Sequence, residues 1–330
     1  MTSPAPTHSL LLDSTALDFS IVIPTYNRPR LLEQCLRSLS RLRYPRERFE
    51  VIVVDDGSPS DLQSCVGRHS ALLNLTFLRQ SNAGPARARN AGVQAALGRY
   101  VLFLDDDCQP DPEWLEKLRE LMHHYPGCAI GGTSINGLTG NVYSDASQEL
   151  VHYLYECWNR ADGEAYFLTS NNLGFPRDRF LQIGGFDESF PRAAAEDREL
   201  CDRWIYSGGR IMHTPDAIVI HRHSLGLLGF VCQQFNYARG AAQFHFKRAR
   251  RGGVRPRLLP LARMLSYPFQ RRVRHPLKTS SLLLLAQLLL PLGLAAGLLD
   301  ECRERILESW RSGADSKASS PVNRSDSWTP

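Results

Sequence analysis

The chain has 330 residues and no paired cysteine motif; its eight cysteines stand singly along it. That excludes a zinc site built on CxxC spacing and a disulfide framework, and it implies a reducing cytoplasm. No GxGxxG follows the first apolar run, and no GxxxxGK followed by Ser or Thr occurs. Both the dinucleotide fingerprint and the P-loop are therefore missing. Residues 1–17 have neither a basic n-region nor a long apolar core, so no secretory signal is expected there. Acidic residues also disappear locally: Arg239 to Lys278 holds twelve Lys or Arg and no Asp or Glu. The net charge of +5 thus conceals a remainder of 27 basic against 34 acidic residues, a balance of −7. A basic segment on an acidic body points to an anionic partner, membrane or nucleic acid.

What is present reads as an α/β protein, one large domain with appendages or two small ones. "FSIVIPT" (19–25), "FEVIVVDDGS", "LTFLRQ" and "RYVLFLDDD" are apolar strands, and helical periods separate them. Strands alternating with helices predict a doubly wound sheet with a parallel core, whose ligands gather beyond the carboxyl ends of the strands. Thr25-Tyr26-Asn27, Asp55-Asp56 and Asp105-Asp106-Asp107 all fall at such ends.

Three consecutive carboxylates repel one another, and a hard divalent cation such as Mg²⁺ or Mn²⁺ is the first candidate to hold them. If the strand continues, alternation puts Asp105 and Asp107 on one face. The structural alternative is a solvated turn capping the next helix. Glu196-Asp197 opens another helical stretch, where acids can simply complement the helix dipole. His221 and His223, at i and i+2 on an expected strand, can share a side.

"SIVIPTYNRPRLLEQCLRSL", "VIVVDDGS", "NAGPARARNAGVQAALGRYVLFLDDD", "GGFDESF" and "EDRELCDRW" together resemble a family 2 glycosyltransferase of the GT-A fold. The match covers about residues 19–223, and the ordered set is specific where each element alone is weak. The resemblance implies transfer of a sugar from a nucleotide-diphosphate donor, with inversion, aided by Mg²⁺ or Mn²⁺. It places Thr25, Tyr26, Asp56, Arg89, Asn90, Asp105 and Asp106 at the donor, with Arg87 as an alternative to Arg89. Asp56 corresponds to the residue that reads the nucleobase edge. Asp105 and Asp107 correspond to the DxD pair on the diphosphate, and His221 to a further metal contact, with His223 as its rival. Asp197 corresponds to the general base, supported by Glu196. Asn171, Asn172 and Gly184-Gly185-Phe186-Asp187 fall on the acceptor side.

The expected organisation is a flexible tail (1–17) and a GT-A domain (18–225) with a nucleotide-binding half (18–110) and an acceptor half (111–225). A basic helical arm (226–280), an apolar helix (281–299) and a disordered polar tail (300–330) follow. Leu282 to Leu299 is 18 residues, apolar apart from Gln287, at the lower edge of a membrane span. Beside it, the basic arm favours an anionic membrane over RNA and predicts the cytoplasmic face. The expected acceptor is a glycan or glycolipid. The rival readings are a nucleotidyltransferase and a sugar-nucleotide-binding membrane scaffold without turnover.

Overall fold

The computed structural model describes residues 17–190, 192–253 and 260–318. The expected N-terminal tail, save residue 17, and positions 319–330 of the expected C-terminal tail lie outside the described residues.

β1 (Phe19–Thr25), β2 (Phe49–Asp55), β3 (Leu75–Arg79) and β4 (Tyr100–Phe103) form the parallel core in the order β3-β2-β1-β4. Their near-continuous apolar runs suit strands covered on both faces. Alternate residues serve opposite layers. Ile21, Ile23, Val51 and Val53 share one core with α1 (Pro29–Leu39), α2 (Gln63–Gly67) and α4 (Trp114–His124). Val22, Ile52 and Val54 share the other with α3 (Pro85–Ala95), α6 (Arg177–Gln182) and α7 (Glu196–Tyr206).

Beyond β4 the sheet becomes mixed. β8 (Leu173–Pro176) runs antiparallel to both β4 and β6 (Ala129–Asn136), while β9 (Ile211–His221) is parallel to β6. β5 (Cys108–Pro110) pairs antiparallel with one end of β9, and β7 (Glu164–Ala165) with the other. The β5–β9 pairing carries His221 directly opposite Cys108, beside the acidic turn. This is the expected doubly wound mixed sheet with a parallel core.

α5 (Val142–Trp158) supports three C-terminal helices: α8 (Leu227–Arg250), α9 (Leu261–Gln270) and α10 (Pro276–Ala318). Within α10, Pro276–Arg303 is long and apolar enough to cross a membrane, and an 18-residue stretch of it has a mean hydropathy of 2.3. The helix also runs through 300–318, where a disordered tail was expected. "ECRERILESW" is rich in strong helix formers, which explains the continuation.

Candidate active site

β1, β2 and β4 end together, and the three polar clusters meet there. The Asp56 N–H donates to the Thr25 carbonyl at 2.9 Å, and Thr25 Oγ1 donates to Asp106 Oδ2 at 2.7 Å. β4 stops at Phe103, so the three aspartates form a turn and strand alternation no longer pairs Asp105 with Asp107. Instead they diverge. Asp105 accepts from Arg89 Nη2 at 2.8 Å, whereas Asp106 is buried against Thr25 and Arg28 Nη1, the latter at 3.2 Å. Burial pushes the Asp106 carboxyl up to about 6, against the pull of Arg28 and reinforced by Asp107.

Asp107 faces the two histidines. Its Oδ1 lies 3.3 Å from His221 Nε2 and its Oδ2 3.3 Å from His223 Nδ1, and the two imidazoles stack with centroids 5.4 Å apart. Burial opposes charge on Asp107, yet the imidazoles hold its carboxyl well below the usual range. Burial likewise opposes charge on His221, and Asp107 overcomes it to raise the imidazole. Ser147 Oγ donates to Gln233 Oε1 at 2.8 Å, which turns Gln233 Nε2 toward His223 Nε2 at 3.2 Å. His223 then carries its proton on Nδ1, toward Asp107.

Could these residues hold a metal? The ligand atoms of Asp107, Cys108 and His221 lie within 4.8 Å of one another. A carboxylate with an imidazole suits Mn²⁺ or a similar cation. The Cys108 thiol is completely buried, which pushes it far above its ordinary value and withholds the thiolate a soft metal would take. The donor set therefore fits a hard or borderline divalent ion centred on Asp107 and His221. Asp105, tied to Arg89, is outside this cluster.

Across the cleft, Ala195 adopts the left-handed conformation (φ 69°) immediately before α7, a costly backbone state for a residue with a side chain. Glu196 is buried and accepts from Arg89 Nη1 at 3.0 Å. Asp197 is only half-buried. It accepts from the Arg198 N–H at 2.7 Å and from the Ser170 N–H at 3.3 Å. Burial raises both carboxyls; the charge of Asp197 adds to the effect on Glu196, while Arg198 and Ser170 temper that on Asp197. Arg89, buried over the Phe186 ring, thus touches Asp105 with one nitrogen and Glu196 with the other. Arg87 points to solvent, 4.0 Å from Glu188.

Most of the other expected residues also make contacts within the scaffold. The Asp56 carboxylate accepts from Gln80 Nε2 at 2.8 Å and from the N–H groups of Ala83 and Gly84, each at 2.9 Å, clamping the loop that opens α3. Tyr26 is exposed beside Thr25. Asn90 grips Phe186, accepting from its N–H at 2.8 Å and donating to its carbonyl at 2.9 Å. Gly185 (φ 66°) permits this, because a Cβ there would lie 2.6 Å from Asn90 Oδ1. Neighbours on a helix point about 100° apart, so Arg89 enters the cleft while Asn90 braces the loop behind it. Asn171 accepts from Ser134 Oγ at 3.0 Å, and Asn172 from Trp114 Nε1 at 2.8 Å. Both asparagines are buried connectors between strands.

Three residues escaped the sequence reading. Arg28 sits beside Asp106 and Asp107, but "YNRP" reads only as a helix start. Gln233 and, one turn later, Tyr237 come from α8 and carry no motif. Burial raises the Tyr237 phenol, and Asp197, Glu196, Asp105 and Asp107 raise it further, as expected for a hydroxyl overlooking the acidic cleft.

Comparison with known proteins accords with this geometry. Residues 20–184 match the sequence model of "Glycosyl transferase family 2". The chain belongs to this family. A pre-mycofactocin glycosyltransferase of Mycobacterium tuberculosis is 30% identical over 298 residues, spanning 85% of this chain and 54% of that protein. A chondroitin synthase of Escherichia coli is 28% identical over 254 residues, 67% of this chain and 36% of that one. This chain therefore spans about half or less of the curated relatives named here. Two solved structures share the GT-A fold. The Pyrobaculum calidifontis mannosyltransferase PcManGT, in complex with GDP-Man and Mn²⁺, is 20% identical with a TM-score of 0.56, covering 91% of this chain and 83% of that one. S. aureus TarS 1–349, in complex with UDP-GlcNAc, is 19% identical with a TM-score of 0.54, covering 78% and 72%.

Proposed function

We propose that this family 2 protein transfers a sugar from a nucleoside-diphosphate donor to an acceptor hydroxyl, with inversion at the anomeric carbon. The carrying observation is Arg89, whose single guanidinium contacts both Asp105 and Glu196 and so sets the donor-side acids and the acidic doublet on one cleft. Asp197 is the less buried member of the doublet, and its raised pKa makes it a stronger base. It takes the proton of the acceptor hydroxyl as the oxygen attacks the anomeric carbon opposite the diphosphate. The bond from that carbon to the diphosphate oxygen breaks as the new glycosidic bond forms. Glu196, fixed by Arg89, orients the start of α7.

Asp107 and His221 would hold a divalent cation, with Asp105 toward the donor. Such an ion supplies positive charge where the leaving diphosphate gains negative charge. Thr25, Tyr26 and Asp56 line the donor-base end of the same edge. A glycan or glycolipid is the acceptor class, and the basic arm with α10 keeps the catalytic domain on the anionic cytoplasmic face of a membrane. A nucleotidyltransferase would use the same cation without Asp197, and a scaffold would need neither.

The deciding experiment is a donor hydrolysis screen over nucleotide sugars with Mn²⁺ or Mg²⁺, run on the parent and on Asp197→Asn. Metal-dependent turnover lost in the variant supports the reading. Turnover indifferent to both metal and substitution overturns it.

A further inference from the structure

α10 has two apolar faces, and among the described residues only one is covered. Thr279, Leu283, Ala286, Gly293 and Gly297 recur at helical spacing and are buried. Gly293 and Gly297 bring α10 into backbone contact with α8. A Cβ on Gly293 would lie 2.7 Å from the Phe235 carbonyl oxygen, and one on Gly297 would strike the Arg239 carbonyl. Ala238 and Ala242 are the small residues facing these glycines, and Arg239 pairs with Asp300 at the end of the seam. Small residues at four-residue spacing let two helices approach closely enough for extensive van der Waals contact.

α8 cannot leave its place freely. Gln233 holds His223, and a Cβ on Gly240 would run into the backbone of Ala194, next to the strained Ala195. The face of α10 turned away from α8 is also apolar. Leu277, Leu284, Leu288, Leu292 and Leu299 follow one another on that side, with Leu288 63% and Leu292 61% exposed. The stripe begins where Arg272, Arg274 and Lys278 cluster, and none of these has a carboxylate partner among the described residues.

We propose that α10 lies in the plane of an anionic membrane surface, its outer leucines in lipid and its inner face on α8, and that it does not cross the bilayer. This rests on the membrane part of the function above and decides how the attachment is made. To span, α10 would have to separate from α8 along the Gly293–Gly297 seam and break the Arg239–Asp300 pair. Alternatively it would drag Gln234, Asn236, Arg239 and Gln243 of α8 toward hydrocarbon, where unsatisfied polar groups are costly. An in-plane helix keeps every one of these contacts and still buries the leucines. The flanking cations match acidic headgroups. Because α8 also braces His223 and Ala194, membrane contact is mechanically continuous with both ends of the cleft.

The test uses the full chain and preformed phosphatidylcholine vesicles with or without phosphatidylglycerol. Flotation is expected only with phosphatidylglycerol present. Leu288→Glu with Leu292→Glu should lower the bound fraction at least about tenfold. Cys232 on α8 and Cys302 beyond the leucine stripe are both exposed thiols that report topology. A membrane-impermeant maleimide added outside should label both in the vesicle-bound parent, to the same extent before and after vesicle lysis. Protection of Cys302 until lysis would overturn the in-plane arrangement while leaving membrane attachment standing. Failure to float would overturn both, and a dimer in solution abolished by the Leu288 and Leu292 changes would give the face to a second copy instead. The labelling arm uses the unmodified chain, so misfolding of the double variant cannot blunt it.

Discussion

Arg89 and Glu196 are 107 positions apart in the chain and meet at 3.0 Å in the interior. The other guanidinium nitrogen of Arg89 reaches Asp105 at 2.8 Å. One cation thus holds together two acidic centres that come from the end of β4 and the start of α7.

Removing that cation should be severe. Arg89→Met strands a buried Glu196 beside Asp197 and frees Asp105, and loss of one partner of a buried pair costs about 3–5 kcal/mol. Chemical denaturation should register a loss of that size, whereas Arg87→Met, at an exposed position, should move stability by less than about 0.5 kcal/mol. Equal effects would remove Arg89 from its linking role.

Asp197→Asn should leave the fold intact and reduce donor turnover by roughly 10²–10⁴-fold. With the parent protein, the acidic limb of the rate profile should lie above the ordinary Asp value of 3.8, because burial raises this carboxyl. Activity then climbs as pH passes through the raised pKa and Asp197 ionises. A limb at or below the ordinary value would show that another group is the base.

Asp106 gives stability a specific pH dependence. Its folded pKa, about 6, is above the ordinary 3.8, so the folded state holds this proton more tightly than the unfolded chain. The associated stability is fully present below about 3.8 and is lost as pH rises through about 6, amounting at most to ~3 kcal/mol. With chelator present, Asp106→Asn should match the parent near the lower limit and exceed it in stability above the upper one. Identical pH profiles by thermal melting would contradict this.

Cation binding should depend on Asp107 and His221. Mn²⁺ added with a nucleoside diphosphate should raise the melting temperature, and His221→Ala should weaken the metal at least about tenfold. Burial opposes protonation of His221 but Asp107 raises its pKa, so metal competes with a proton and binds better as pH increases through that value. His223→Ala should weaken binding less, since Gln233 already occupies its Nε2. A pH-independent affinity would argue against an imidazole ligand.

The strands, their order in the chain and the acidic strand ends were legible because burial on both faces demands continuous apolar runs, and their polar ends interrupt those runs abruptly. Asp56 and Asn90 were legible as positions but not as partners. Asp56 spends its carboxylate on Gln80, Ala83 and Gly84, and Asn90 spends its amide on Phe186. Such bonds depend on which loop folds back over the residue, and composition carries no trace of that.

By itself the sequence determined the doubly wound sheet, the family and the edge where polar groups collect, since all three follow from local hydrophobic pattern and short ordered motifs. Only the tertiary structure decided that β4 stops at Phe103 and splits the three aspartates among Arg89, Thr25 and the histidine pair. It also decided that α8, outside every motif, braces the site and holds α10. The physical reason is range: periodicity and propensity act over a few residues, while charge pairing and close helix packing join groups that the chain keeps far apart.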